Sequence, residues 1–299
     1  MKDLTKGKPS TLILAFALPI FFANLLQLTY SLVDTRIVGT FLGEDALAAV
    51  GATTTLSNLI IGFLQGLSGG FAIIIAQKFG AKDYKNVKKS FAMSLTMGTG
   101  IAIFFTVFGL LFLQPILNIL NVPSDLMATA KSYIFVIIAG LVATFLYDAC
   151  AAALRSLGDT VTPLVILAIS VALNIVGDLL FVVVLKSGVR GAAIATVLAQ
   201  AIAFVVCWIY MVKRYELLRL SREDFKDPNP VMVKNMLGAG MSMGFMSSLI
   251  NIGSLTLQTA INKLGNDYIV AQTAARKLTE MFMIMFTAVS YTHLTLPTN

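Results

Sequence analysis

Four acids lie inside the long apolar runs of this chain: Asp34, Asp148, Asp178 and Glu280. An ionised aspartate in the middle of a hydrocarbon layer costs about 2.5–3.5 kcal/mol on insertion scales, so such a residue is expected to have a task. Depth groups some of them. Asp178 stands about fifteen residues into the run 161–185, roughly 22 Å from where that run begins, and Asn174 is one turn earlier on the same face. Thr196 lies about 10 Å into the following run, which enters from the opposite side, and Asp34 sits toward the same end of the first run. Two carboxyls, an amide and a hydroxyl from three helices thus share one level. Oxygen donors of this kind suit a hard cation, or a proton. Two carboxyls brought close in low dielectric also resist joint ionisation, so a proton or a cation must accompany them. The bland alternative is that these groups only bond helix to helix, at about 0.6 kcal/mol each.

The elements that must position them are membrane helices. The chain is 57% hydrophobic and 12% charged, about half the charged fraction of an ordinary soluble domain. Eight runs of helical length are predicted, over 11–38, 46–77, 90–114, 125–154, 161–185, 191–212, 235–262 and 267–288. The runs are too long and too evenly apolar for barrel strands. The first lacks a cleavage site and is not expected to be a signal peptide. Basic residues set an orientation. The N-terminal lysines, Lys78 to Lys89, Arg155 and the segment from Lys213 to Lys234 fall on one side, which predicts a cytoplasmic N-terminus in a multi-pass protein of the cell membrane. The net charge of +7 is then a topology signal and not a nucleic-acid footprint. Cys150 and Cys207 have no metal-ligand spacing and are expected to be buried free thiols.

An offset of 222 residues lays "FLGEDALAAVGATTTL" (41–56) over "KLGNDYIVAQTAARKL" (263–278). Each segment ends one long helix and opens the next, so the seventh and eighth helices restart the pattern of the first two. The expected architecture is all-α and polytopic: a six-helix N-terminal lobe (1–212), a cytoplasmic linker (213–234), and the first two helices (235–288) of a second, pseudo-symmetric six-helix lobe. Residues 289–299 change character abruptly and hold the one histidine, His293. "SYTHLTLPTN" resembles sequencing-adapter read-through, and this tail is expected to be non-native, on a chain truncated after eight helices.

Four stretches carry a family resemblance: "ALPIFFANLLQLTYSLVDTRIVGTFLGEDALAAVG", "GLSGGFAIIIAQKFGAKDYKNVKK", "ALRSLGDTVTP" and "NIVGDLLFV…GVRGAAIATVLAQ". Over residues 10–288 the chain resembles the MATE (multidrug and toxic compound extrusion) transporters. That resemblance implies two six-helix lobes in a V around a central cleft, and export of organic cations and drugs in antiport with Na⁺ or H⁺. It needs no cofactor beyond that coupling ion, and the chain is expected to act as a monomer in the bilayer. In members with an N-lobe ion site the ligands correspond to Asp34, Asn174, Asp178 and Thr196. Tyr30 and Tyr133 match positions lining that pocket, and Pro19 matches the bending point of the first helix. Physically, Pro19 leaves the Ala15 carbonyl without its helical donor. Residues 235–262 contain no acid, unlike branches with a carboxylate in the seventh helix.

Rival readings are a lipid-linked precursor flippase of the same superfamily and, from another class, a channel or receptor. An enzyme is not expected. "GLSGG" (66–70) fits a serine-nucleophile pattern, but a serine needs a base and the lone histidine is in the tail. Gly62, Gly66 and Gly70 recur every fourth residue, which suits close helix packing.

Overall fold

The computed structural model describes residues 9–120, 122–226, 229–262, 279 and 283, and among these it contains helices and turns but no strand. The helices are α1 (Pro9–Leu42), α2 (Glu44–Gly80), α3 (Tyr84–Leu111), α4 (Leu113–Ile119), α5 (Met127–Ala139), α6 (Leu141–Ser156), α7 (Val161–Asp178), α8 (Gly188–Arg214) and α9 (Pro230–Asn262). Five are long and apolar enough to cross a membrane, or six when α5 and α6 count as one bent span. The all-α, multi-pass reading holds. The predicted run 267–288, apart from Thr279 and Met283, lies outside the described residues, as does the tail.

Several bounds differ from those predicted by hydropathy, each for a local reason. The third helix begins at Tyr84 and not at residue 90, because Asp83 caps it and accepts the Asn86 N–H. The bond from the Asn86 side chain, reinforced by Lys78, holds the Asp83 carboxyl below the usual carboxylate range. The predicted helix 125–154 is two helices bent by 44° at Gly140, where Val197 of α8 occupies the space a side chain would need. The fifth run continues from α7 into a π-helical turn, Leu179–Val184, that starts directly after Asp178. The helix predicted from residue 235 begins at Pro230, where the missing N–H of a first-turn proline costs nothing.

α2 is the central post, with 61% of its most apolar stretch buried, whereas α1 is peripheral at 11%. The main core gathers Leu64, Leu67 and Phe71 of α2, Phe91 of α3, Ile134 and Ile138 of α5, and Phe145 and Leu154 of α6. Ile103, Phe104, Val107, Phe108 and Leu111 of α3 form one exposed stripe at helical spacing, with Phe104 stacked on Phe108 at 5.9 Å. In a membrane protein that stripe faces lipid. Cys150 and Cys207 are free and fully buried, and their thiols meet between α6 and α8.

α9 packs most extensively along α2. Glycines make the approach possible. A Cβ on Gly66 would stand 2.5 Å from the Met243 carbonyl oxygen, and one on Gly70 would stand 2.5 Å from the Ala239 carbonyl oxygen. From the other side, Gly240 lies against Phe71 and Leu67, and Gly244 lies against Phe63.

At the α6–α7 turn, Asp159 accepts the Thr162 N–H at 3.0 Å and the Tyr215 hydroxyl at 2.7 Å, tying the end of α8 to the start of α7. Burial and the Asp159 carboxylate push the Tyr215 hydroxyl up, so it stays a donor at neutral pH. Tyr215→Phe is expected to cost about 1.5 kcal/mol, the worth of a hydrogen bond to a charged group. Thermal unfolding in detergent measures this, and an unchanged midpoint would deny the tie any role.

Candidate functional site

The buried face of α7 reads Pro163, Ile166/Leu167, Ser170, Asn174 and Asp178, a three-to-four-residue spacing that turns polar toward one end. Ser170 donates to the Ala199 carbonyl of α8 at 3.2 Å. Small residues on α8 let the two helices approach; a Cβ on Gly177 would touch that of Ala195 at 3.0 Å. This closeness carries Asn174 and Asp178 to Thr196. Asn174 donates from its amide nitrogen to Asp178 Oδ2 at 3.0 Å. Its carbonyl oxygen accepts from the Thr196 hydroxyl at 3.2 Å and from the Thr196 N–H at 3.1 Å.

α1 closes the group from the side. The Tyr30 hydroxyl stands 3.2 Å from Thr196 Oγ1. Asp34, one turn later, has its carboxyl within hydrogen-bonding reach of Asp178. Tyr133 of α5 is near enough to Asp34, Tyr30 and Asp178 to interact with each electrostatically. Asp178 is fully buried and Asn174 nearly so, whereas Asp34 and Thr196 are half-buried. A second apolar cluster of Ile37, Val38, Ala46, Val182, Val189 and Ala192 walls this end of the bundle.

One oxygen of each carboxyl, Asp34 Oδ1 and Asp178 Oδ1, is buried with no hydrogen-bond partner among the described residues. Two facing carboxyls in such a place need a proton between them or a cation beside them. With the Asn174 carbonyl and the Thr196 hydroxyl, the available donors are all oxygen, as a hard cation requires. Among the described residues no cluster of three or more His, Cys, Asp or Glu could hold a metal ion.

All six residues predicted for this site therefore meet in one place. Pro19 does not belong to that group. It lies about 22 Å along α1 from Asp34, inside a helix that continues through it, and it lines a separate cavity. That cavity contains residues the sequence reading passed over, Asn24 and Gln27 of α1 and Gln65 of α2, together with Ser68, which it weighed only as a nucleophile. Their signal was available: amides and hydroxyls three residues apart in otherwise apolar runs.

The MatE family model matches residues 19–180, more than half of the chain. The chain belongs to the MatE family. Among its relatives, the "Probable multidrug resistance protein YpnP" of Bacillus subtilis is 28% identical over 92% of this MatE chain and 61% of its own. The "Probable multidrug resistance protein YoeA" of the same organism is 30% identical over 88% of this chain and 58% of its own. The MatE chain thus spans about three fifths of the curated relatives it matches. A solved MOP-superfamily transporter from Pyrococcus furiosus has the same fold, with a TM-score of 0.90 at 24% identity, over 98% of this chain and 65% of that one.

Proposed function

We propose that this MatE protein is a secondary active antiporter that exports organic cations and drugs in exchange for Na⁺ or H⁺ by alternating access. The observation that carries the reading is the facing Asp34 and Asp178 pair, each with a buried oxygen that has no partner among the described residues. The pair bridges peripheral α1 and the packed α7–α8 unit. Binding a cation or proton joins the two; releasing it leaves like charges facing each other and favours separation. An ion drives transport only if it prefers one arrangement to the other, because equal affinity for both shifts nothing. The names of the two relatives, each printed as a "Probable multidrug resistance protein", agree with the cargo class.

In the same reading the six-helix unit up to residue 212 is one lobe, the segment 213–234 is its cytoplasmic link, and α9 opens the second lobe. The N-terminus is cytoplasmic. The test is drug efflux from vesicles holding the protein expressed from its intact gene, under an imposed Na⁺ or proton gradient. Efflux should stop when the matching ionophore collapses the coupling gradient. Efflux indifferent to both gradients would overturn the antiport reading. Thr196→Ala is expected to slow gradient-driven efflux only a few-fold, about 1 kcal/mol, since water can replace one neutral ligand. A complete loss of efflux would mean that the hydroxyl has a larger task than ligation.

A further inference from the structure

α8 has 27 residues and is about 40 Å long, against a hydrocarbon layer of about 30 Å. Its ends therefore stand at the level of the lipid headgroups. One face carries Leu198, Ile202, Val205 and Ile209, an exposed stripe at helical spacing that in a membrane protein meets acyl chains. At the Arg214 end the stripe runs into a shallow groove of about 440 Å³ lined by Val206, Ile209, Tyr210, Lys213 and Arg214. Within one turn an apolar wall gives way to two adjacent cations, at the depth where phosphate groups lie.

Those cations lack a counter-charge. Among the described residues neither Lys213 nor Arg214 forms an ion pair. Asp159, the acid tied to this corner, is engaged by the Tyr215 hydroxyl and the Thr162 N–H. Glu216, two residues beyond Arg214, is exposed and pairs with neither cation. Lys78 at the end of α2 is the contrast, with Asp83 at 3.8 Å. The groove is also held in shape: the Tyr210 ring leans on that of Tyr215, with centroids 6.4 Å apart, and Tyr215 is fixed through its hydroxyl to Asp159. Phosphate suits the pair, because a guanidinium offers it two parallel N–H donors and an ammonium adds a second point of charge. A zwitterionic lipid presents the same phosphate with its own cation attached, so it gains less.

We infer that this groove is a binding site for one anionic glycerophospholipid, its phosphate held by Lys213 and Arg214 and an acyl chain lying along the Ile202–Ile209 stripe. Bound there, the lipid secures the end of α8 beside the Tyr215–Asp159 tie and so supports the join between α7 and α8 from outside. Thr196 lies about 27 Å back along α8, so the site is separate from the paired carboxyls, and the inference does not depend on the antiport reading.

The test is native mass spectrometry of the purified protein, expressed from its intact gene, in a neutral detergent with equal amounts of phosphatidylglycerol and phosphatidylcholine of matched acyl chains. The first lipid to bind the wild type should be phosphatidylglycerol by about thirtyfold, the effect of two basic side chains at about fivefold each. Lys213→Gln with Arg214→Gln should bring that preference to within a few-fold of unity. Lys85→Gln with Lys88→Gln, which removes the same charge from the start of α3, should leave it intact. Equal binding of the two lipids by the wild type overturns the site, and that comparison needs no variant to fold. A preference that survives the α8 double variant, or falls as far in the α3 one, belongs to diffuse surface charge and overturns it too. In thermal unfolding, phosphatidylglycerol should raise the wild-type midpoint and inorganic phosphate at the same concentration should not; an equal rise with both would make the ligand a free phosphate and overturn the lipid site.

Discussion

Asp34→Asn and Asp178→Asn are each expected to abolish gradient-driven efflux, a loss of about a hundredfold or more, while leaving expression and membrane insertion intact. Asparagine keeps the size and shape of aspartate, so the packing of α1 against α7 and α8 is preserved. What disappears is the charge that attracts a cation and the group that binds a proton. In the native pair each carboxyl has a buried oxygen without a partner among the described residues, and on the proposed antiport reading ion binding and release there would alter the energy of the α1–α7 contact. An amide against a carboxyl is satisfied in every ionic condition, so the contact no longer responds to the gradient. A ligand must prefer one state by roughly 5.5 kcal/mol to move an equilibrium from 1:99 to 99:1, and a single carboxyl already paired with an amide does not supply it. The double variant should be no worse than either single one, since the two groups act as a unit. The measurement is efflux under Na⁺ and proton gradients, with protein level checked in the same vesicles. Full coupled efflux by both well-expressed variants would leave this carboxyl pair without a function.

The second large effect is on folding. Gly70→Leu should displace α9 from α2 and destabilise the protein by about 3 kcal/mol or more. A Cβ at position 70 would stand 2.5 Å from the Ala239 carbonyl oxygen and 2.5 Å from Gly240 Cα. Both are backbone atoms, which cannot rotate away as a side-chain tip can, so the helices must separate. Separation exposes the glycine-lined seam where Gly240 meets Phe71 and Gly244 meets Phe63. Gly100→Ala is the control. Among the described residues nothing lies within 4 Å of a Cβ there, and alanine should be neutral or stabilise α3 by up to about 1 kcal/mol. Thermal unfolding in detergent separates the two cases. A Gly70→Leu protein as stable as the Gly100→Ala protein would mean that the α2–α9 seam is not a tight contact.

Much of this protein was legible from its residues because a bilayer imposes strong rules. Apolar length predicted the spans, since backbone polar groups in lipid must be satisfied within the helix. The cost of charge in hydrocarbon singled out Asp34 and Asp178, and helical rise placed them at the level of Asn174 and Thr196 before any contact was known. The "GxxxG" spacing of Gly62, Gly66 and Gly70 announced a close neighbour. Tertiary structure decided which neighbour. Only packing shows that α9 is the helix lying on those glycines, that α5 and α6 bend where Val197 presses on Gly140, and that the α7 ladder closes on α8 through alanines. The distinction between Asp178, which meets another carboxyl, and Asp148, which faces a cavity beside Ser68, is likewise invisible in one dimension. Both are single acids in apolar helices, and both are costly to take out of water. Their partners stand on other helices, fixed by crossing angles and side-chain volumes summed over the whole bundle, and no local spacing in the sequence encodes that sum.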